Sequence, residues 1–513
     1  MLLLITTDNL VAQQTKPKSH PGFEPEDAEE HFRHNNFLMA LKVYKELYRG
    51  DKTNIDYNYK IAQCYLNTNI NKKEAIAYLE FVIKQEKYDP EALFDLGRAY
   101  HYANRFDDAI NTFNKYKAKA SSKSVEKVER EIEMCNNGKE LVKFPVKVSF
   151  ENLRDLNSEY PDYYPFTTSN ESFLIFTSRR KGNTGAATPE VDGYYSSDIY
   201  IASVKNGIFS KPKNAGTAVN GAFDEQCVGL APDGSSMIVY IDNISDVGNL
   251  YQSKQTKENF TKPVKLADVI NEGFETSGSF SPDGSIFFFA SDRPGGKGLT
   301  DIYMVKKLPT GDWAVPQAIT AINTKYREDS PFMASDGKTL YFSSEGHSSM
   351  GGFDLFKTVY SEETGTWSPP KNLGYPINDS QDNRTISFSK DNKFGYISSC
   401  REGGMGDLDI YRIAFDELNP RYTVVMGKIQ FADSLSHKSM HALITLKDVK
   451  SSKRVGSYTP IPNSGNYVMA IAPGKYTMTI EAPGCAPYNY PLTILDLGSW
   501  QPEMNLNIVL SPQ

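Results

Sequence analysis

The sequence predicts a multidomain chain, α-helical first and then β: an α-solenoid, a five-bladed β-propeller and a C-terminal β-sandwich. Three observations predict it. Between Pro161 and Tyr411 an acidic or amide residue, then Ile or Leu, then an aromatic returns five times, about 50 to 55 residues apart. Upstream, small and large apolar residues recur at 34 or 35 residues in a helical pattern. Downstream, short alternating strands dominate. The expected boundaries are 1–23 for an N-terminal leader and linker, 24–144 for the helical repeats, 145–417 for the propeller and 420–513 for the sandwich.

Composition sets the limits. A chain of 513 residues should hold two to four domains. Its net charge of −7 argues against a nucleic-acid or polybasic membrane partner. No apolar run approaches the roughly 18–20 residues of a transmembrane helix. The five cysteines, Cys64, Cys135, Cys227, Cys400 and Cys485, are far apart and form no metal or disulfide framework. We expect buried free thiols. Met1 to Ile5 is a short apolar run, and Leu10-Val11-Ala12-Gln13 resembles a signal-peptidase site. The run is short and lacks a basic start. We read it as the tail of a signal peptide that begins upstream, the alternative being a frayed cytoplasmic N-terminus.

The helical region repeats Ile61-Ala62-Gln63-Cys64-Tyr65 as Leu96-Gly97-Arg98-Ala99-Tyr100. Ala40, Ala75 and Ala109 mark the second helices, each with a large apolar residue one turn on: Tyr44, Leu79 and Phe113. A small residue lets antiparallel helices approach and a large one fills the next turn, which is the tetratricopeptide pattern. Three repeats are expected, Asp89-Pro90 breaking the chain before the third. A capping helix from Ser124 should stop at Gly138. Stacked helix pairs form a concave groove for a peptide or partner helix. The groove candidates are Glu29, Arg33, Tyr59, Gln63, Asn67, Phe94, Arg98 and Tyr102. The alternative is a spacer that packs on the propeller.

The propeller units are Asp198-Ile199-Tyr200, Asn249-Leu250-Tyr251, Asp301-Ile302-Tyr303, Asp354-Leu355-Phe356 and Asp409-Ile410-Tyr411. Before each comes an apolar strand and a tight turn, as in Ala231-Pro232-Asp233-Gly234, Ser281-Pro282-Asp283-Gly284, Ser335-Asp336-Gly337 and Ser389-Lys390-Asp391-Asn392. After each comes an outer strand, as at Trp313 to Pro316 and Trp367 to Pro370, and an ending such as Ile270-Asn271 or Ile322-Asn323. Both faces of the inner strands are apolar, as face-to-face blades require. Leu156-Asn157 repeats the ending with no unit before it. Val146 to Leu153 should therefore join the last blade beside Asp409 to Ile413 and close the ring. Five blades result, six being the alternative if one has diverged.

Candidate chemistry is sparse. Gly295-Gly296-Lys297-Gly298 and Gly403-Gly404-Met405-Gly406 lead into strands, not helices, so they read as backbone turns and not phosphate cradles. The repeated acids Asp198, Asp301, Asp354 and Asp409 should accept N–H groups from their own loops. Asp242-Asn243 with Asp246 and Asn249 lacks the order of a calcium loop. Gly346-His347-Ser348-Ser349-Met350 lacks the second glycine of a nucleophile elbow. His31 and His34 lie a turn apart without a carboxylate helper. No enzyme, cofactor or metal is expected. Ser291, Asp292, Arg293, Ser344, Glu345, Ser399 and Arg401 could line one propeller rim for a glycan or small ligand, or be satisfied by their own loops.

The C-terminal strands are expected at Thr423 to Phe431, Ala442 to Lys447, Asn466 to Ile471, Gly474 to Glu481 and Met504 to Leu510.

The turn and Asp-Ile-Tyr units resemble the TolB-type, WD-like propeller repeats of bacterial envelope proteins. Val425-Met426-Gly427-Lys428-Ile429, Ala472-Pro473-Gly474-Lys475-Tyr476 and Ala482-Pro483-Gly484-Cys485 resemble the carboxypeptidase regulatory-like, transthyretin-type sandwich. The order of the three modules resembles PorE-type proteins of the Bacteroidetes envelope. That resemblance implies a periplasmic, outer-membrane-associated scaffold with envelope or secretion-system partners. Such proteins usually end in a peptidoglycan-binding OmpA-like domain. None follows the sandwich in this sequence, so peptidoglycan binding is not implied. The expected function is a non-enzymatic scaffold related to type IX secretion or gliding, the alternative being a ligand sensor.

Overall fold

The computed structural model describes residues 23–185, 187–205, 207–242, 247–257, 259–389, 392–415, 422–432, 441–495 and 503–513. The leader motif at residues 1–13 and the Asn243 and Asp246 positions lie outside them. The chain divides after Phe415 into two compact units.

The first unit opens with the helices α1 (Pro25–Arg33), α2 (Phe37–Gly50), α3 (Ile55–Leu66), α4 (Ala75–Val82), α5 (Glu91–Tyr102), α6 (Phe106–Lys117) and α7 (Ser122–Leu141). Local chemistry starts several of them. Asn36 and Asn54 accept the Met39 and Tyr57 amides at 3.2 and 3.0 Å, satisfying donors that have no intrahelical partner. Pro25 opens α1, where its missing N–H costs nothing. Ala40, Ala75 and Ala109 are wholly buried at the helix crossings, and Tyr44, Leu79 and Phe113 fill the adjoining space.

Gly138 corrects an expectation. It does not stop α7, which continues to Leu141. A Cβ there would lie 2.7 Å from the Phe106 ring, so this glycine lets α7 pass close to α6. Gly97 serves α5 in the same way against Phe113.

Among the described residues, five antiparallel sheets of four or five strands follow. Their innermost strands are Asp162–Thr167, Asp224–Leu230, Glu275–Phe280, Glu328–Met333 and Ile386–Phe388. The repeated acid or amide sits at or just before the third strand of each. Val148–Asn152 pairs antiparallel with Asp409–Phe415, Val148 opposite Phe415 and Asn152 opposite Tyr411. The start of the β region thus completes its last sheet. Apolar clusters fill the gaps between sheets, one of them joining Phe288, Ile302, Phe342 and Phe356.

The residue that ends each unit explains how sheets are held. Asn157, Asn220, Asn271, Asn323 and Asn378 each clamp a neighbouring strand residue, accepting its N–H and donating to its C=O. The clamped residues are Ile410, Ile199, Leu250, Ile302 and Leu355. Two buried backbone groups are satisfied by one amide each time, and groups of this kind cost about 1–3 kcal/mol each when left unpaired. Asn157 makes its clamp across the junction of the first and last sheets, at 2.8 and 3.0 Å.

Positive φ marks the tight turns. Gly234, Gly284 and Gly337 lie at +77°, +70° and +67°, and Asn392, in the weakest match, takes the same conformation at +54°.

The second unit has two four-stranded sheets around one core. Asn466–Ile471 and the parallel Glu503–Asn505 and Ile508–Leu510 flank Thr423–Phe431. Arg454–Tyr458, Leu443–Asp448, Gly474–Glu481 and Tyr488–Ile494 form the other sheet. Arg454–Tyr458 and Tyr488–Ile494 add to the strands expected from sequence. Pro491 sits on an edge strand, where its lack of an N–H is tolerated.

Candidate functional site

The helical module is fastened to the fourth and fifth sheets. Arg130 of α7 donates to the carbonyls of Glu345 (2.5 Å) and Gly346 (3.0 Å) and to Ser349 Oγ (2.5 Å), and its guanidinium lies 4.7 Å from the Tyr326 ring centre. Asn137 donates to the Ser349 carbonyl at 2.9 Å. His101 Nε2 is 2.7 Å from the Met350 carbonyl, and Met350 itself is buried in the helical core. The 346–350 loop, with its partial likeness to a nucleophile elbow, is thus a docking loop.

This placement sorts the groove candidates. Arg33 and Asn67 are exposed, while Glu29, Tyr59, Gln63, Arg98 and Tyr102 are half-buried. Several of them bond across helices. Glu29 accepts Tyr44 Oη at 2.9 Å and pairs with Lys60 at 3.1 Å. Tyr59 Oη donates to Asp95 at 3.2 Å, and Arg98 lies 3.4 Å from Asp95. Phe94 does not face a groove. It is buried between Phe113 and Tyr116, and the Lys127 ammonium of α7 caps its ring at 4.2 Å. The capping helix occupies the surface that another repeat would have covered.

The rim candidates are largely engaged within the sheets, by their own strands and by the ending of the preceding unit. Buried Ser291 donates to Glu275 at 2.8 Å, and buried Arg293 reaches Ser291 Oγ, the Ile270 carbonyl and Glu275 at 3.0, 2.5 and 3.1 Å. Asp292 is exposed and accepts the Phe274 amide at 2.7 Å. Buried Ser344 donates to Glu328 at 2.6 Å. Arg401 donates to the Pro376 carbonyl at 2.6 Å and stacks on Phe150 at 3.7 Å. Ser399 is buried, and the half-buried Glu345 offers its carbonyl to Arg130. Arg180 repeats the Arg293 arrangement in the first sheet, reaching Ser178, the Leu156 carbonyl and Asp162. A Ser-x-Arg segment at the end of a second strand therefore latches the preceding unit.

The repeated acids accept loop amides. Asp301 takes Lys297 and Gly298 N–H at 2.7 and 3.0 Å, and Asp409 takes Met405 and Gly406 at 2.6 and 3.3 Å. Asp198 takes Thr184 at 2.6 Å, and Asp354 takes Met350 and Gly351 at 2.8 and 3.0 Å. Each glycine loop is wrapped around its own carboxylate.

What the sequence did not reveal is a cleft of about 520 Å³ between the helix-end turns and the first and fifth sheets. Asn67 and Tyr102, at the ends of α3 and α5, form part of one wall. Tyr163 and Tyr164, on the innermost strand of the first sheet, form part of the other. The connection from Arg179 to Ser197 adds Arg179, Asp192 and Tyr194. It is about twice as long as its counterparts, Asp292 to Thr300 and Cys400 to Leu408. That extra length in one repeat was the available signal, since functional side chains concentrate on loops set on a rigid scaffold. Asp407 ties the walls together, accepting Asn69 Nδ2 at 2.6 Å and Tyr194 Oη at 2.8 Å. Burial pushes the Tyr164 phenol up to about 12 and the Cys400 thiol up to about 12, so both stay protonated at neutral pH.

A family model described as tetratricopeptide repeat matches residues 73–124. No curated protein matches the chain. Among solved structures, a TolB protein of Agrobacterium tumefaciens is 16% identical with a TM-score of 0.28, covering 53% of this chain and 98% of its own. The RRP9 WD40 repeats are 8% identical with a TM-score of 0.30, covering 52% and 99%. A GH93 α-L-arabinofuranosidase of Fusarium graminearum is 11% identical with a TM-score of 0.33, covering 53% and 98%. Scores this low carry no functional weight, and the architecture stands on the strand pairing above.

Proposed function

We propose that the chain is a non-enzymatic scaffold that binds protein partners through its helical groove. It would work in the periplasm at the outer membrane, in association with type IX secretion or gliding machinery. The carrying observation is the attachment of a tetratricopeptide module to the β region by Arg130, Asn137 and His101. A groove held at a fixed angle to a large second surface can orient a partner as well as tether it. We read the five sheets as the blades of one closed ring and the second unit as a transthyretin-type, regulatory-like sandwich. The envelope placement rests on the order of modules described from the sequence. The engagement of the repeated acids in loop bonding supports a structural role for them.

The test is affinity capture of the tagged full chain from crosslinked envelopes, beside an Arg33→Glu/Gln63→Arg variant. Outer-membrane secretion components should be recovered by the native chain and lost with the variant. Recovery of no envelope protein, or equal recovery by both, would sink the reading.

A further inference from the structure

The cleft carries its own chemistry, independent of the partner-protein reading. Its volume of about 520 Å³ lies within the ~300–1,000 Å³ typical of small-molecule sites. Three features of its walls restrict the occupant.

The first is aromatic surface. Tyr102, Tyr163, Tyr164 and Tyr194 all line it. Tyr163 and Tyr164 are consecutive on one strand, where side chains would ordinarily point to opposite faces. Here the strand register shifts between Tyr163 and Phe166, and Tyr164 adopts φ +53°. Both residues then line the same cleft, their rings 5.0 Å apart at 72° to each other, and Tyr164 also packs on the apolar core behind it. The same register shift and a φ of +51° recur at Ser330 in the fourth sheet, so the bulge belongs to the repeat, and only in the first sheet does it bring two tyrosines together.

The second is charge balance. Lys72, Arg179 and Arg384 face Asp192, Asp382 and Asp407, three cations against three carboxylates. Asp192 is held by Arg179 at 2.6 Å, Asp382 by Arg384 at 3.2 Å, and Asp407 by Asn69 and Tyr194. A phosphate or a polycation would need an excess of one sign.

The third is hydrogen-bonding texture. Asn35, Asn67 and Gln381 also line the cleft, the Asn67 amide donating to the Gln63 carbonyl at 2.9 Å and the Gln381 amide to the Cys400 carbonyl at 3.2 Å, each with capacity for a further bond. A lipid tail would find polar groups on every side, and an extended peptide would need a free, regular strand edge where the bulge at Tyr164 breaks regularity.

We propose that this cleft binds a neutral saccharide, as a monosaccharide or short oligosaccharide. A sugar ring has an apolar C–H face and a rim of hydroxyls. The electron-rich face of a tyrosine suits the C–H face, and four tyrosines line the cleft. The Arg384–Asp382 pair presents a donor and an acceptor side by side, the arrangement that neighbouring hydroxyls bind.

The test screens the full chain on an array of neutral, acidic and phosphorylated oligosaccharides. Calorimetric titration then uses the strongest neutral member. We expect binding of a neutral saccharide with sub-millimolar Kd, weakened at least about ten-fold by Tyr164→Ala and by Arg384→Gln. If Tyr164→Ala fails to fold, judged by its melting curve, Arg384→Gln and the exposed Asn67→Ala decide the matter. Failure to bind any neutral saccharide at millimolar concentration would overturn the proposal. So would preference for phosphorylated members, or affinity that survives the folded variants. None of these outcomes bears on envelope-protein capture, so the two readings fail separately.

Discussion

Asp354 shows how one residue sets a pH response. It is fully buried, and its carboxylate accepts the Met350 and Gly351 amides and Asn372 Nδ2 at 2.8, 3.0 and 2.8 Å. Burial outweighs these bonds and pushes its pKa from the usual 3.8 up to about 7. Glu225, on the innermost strand of the second sheet, is likewise pushed up to about 7 by burial. Between about pH 4 and 7 the folded chain keeps protons that the unfolded chain releases, so stability falls as pH rises through that window. We expect the melting temperature of the native chain to drop between about pH 5 and 7.5. Asp354→Asn should flatten that slope, although it lowers stability throughout by spoiling the loop. Parallel profiles for variant and native chain would contradict this account.

At the scale of elements, glycines of one chemical type do opposite work. Gly50 ends α2 in open space, where an added Cβ would meet no atom within 4 Å, whereas Gly138 sits against Phe106 inside α7. Alanine favours a helix over glycine by up to about 1 kcal/mol. Gly50→Ala should therefore be neutral or stabilising by that amount. Gly138→Ala should cost about 1–3 kcal/mol, because the Phe106 ring must move to admit a methyl group. Denaturant unfolding of both variants checks the contrast, and shifts of the same sign would mean that the α6–α7 approach is not tight. The asparagine clamps act at this scale too, tying the end of one unit to the third strand of a sheet by the same two bonds five times.

For the whole first unit, the Arg130 contact decides whether helices and sheets move together. One guanidinium holds the carbonyls of Glu345, Gly346 and His347 and the Ser349 hydroxyl, a fork geometry that a lysine cannot copy. Arg130→Ala and Arg130→Lys should both raise amide hydrogen exchange in residues 345–351 and at the end of α5 while leaving the second unit unchanged. Full protection in both variants would show that the apolar contact around Met350 suffices without the ion.

The periodic features were legible in the chain alone. Repeat length, turn residues, small-residue crossings and the recurring acids are local or translational properties, and each recurs because the same backbone problem recurs. Even the closing strand at Val148–Asn152 was legible, since Leu156-Asn157 was a unit ending without a unit. What those surfaces face came from the packing of distant segments. Phe94 and Gly138 depart from expectation because the capping helix α7 covers the Phe94 ring with Lys127 and runs on past Gly138 to Leu141. The rim arginines depart from it because Arg293 and Arg401 turn back to carbonyls of the preceding unit. The cleft joins residues from Asn35 to Leu408, brought together by the pairing of Val148–Asn152 with the last sheet and by the docking of the helices. No periodicity encodes such a meeting, because packing between distant segments depends on how the faces of different elements fit and not on the spacing within any of them.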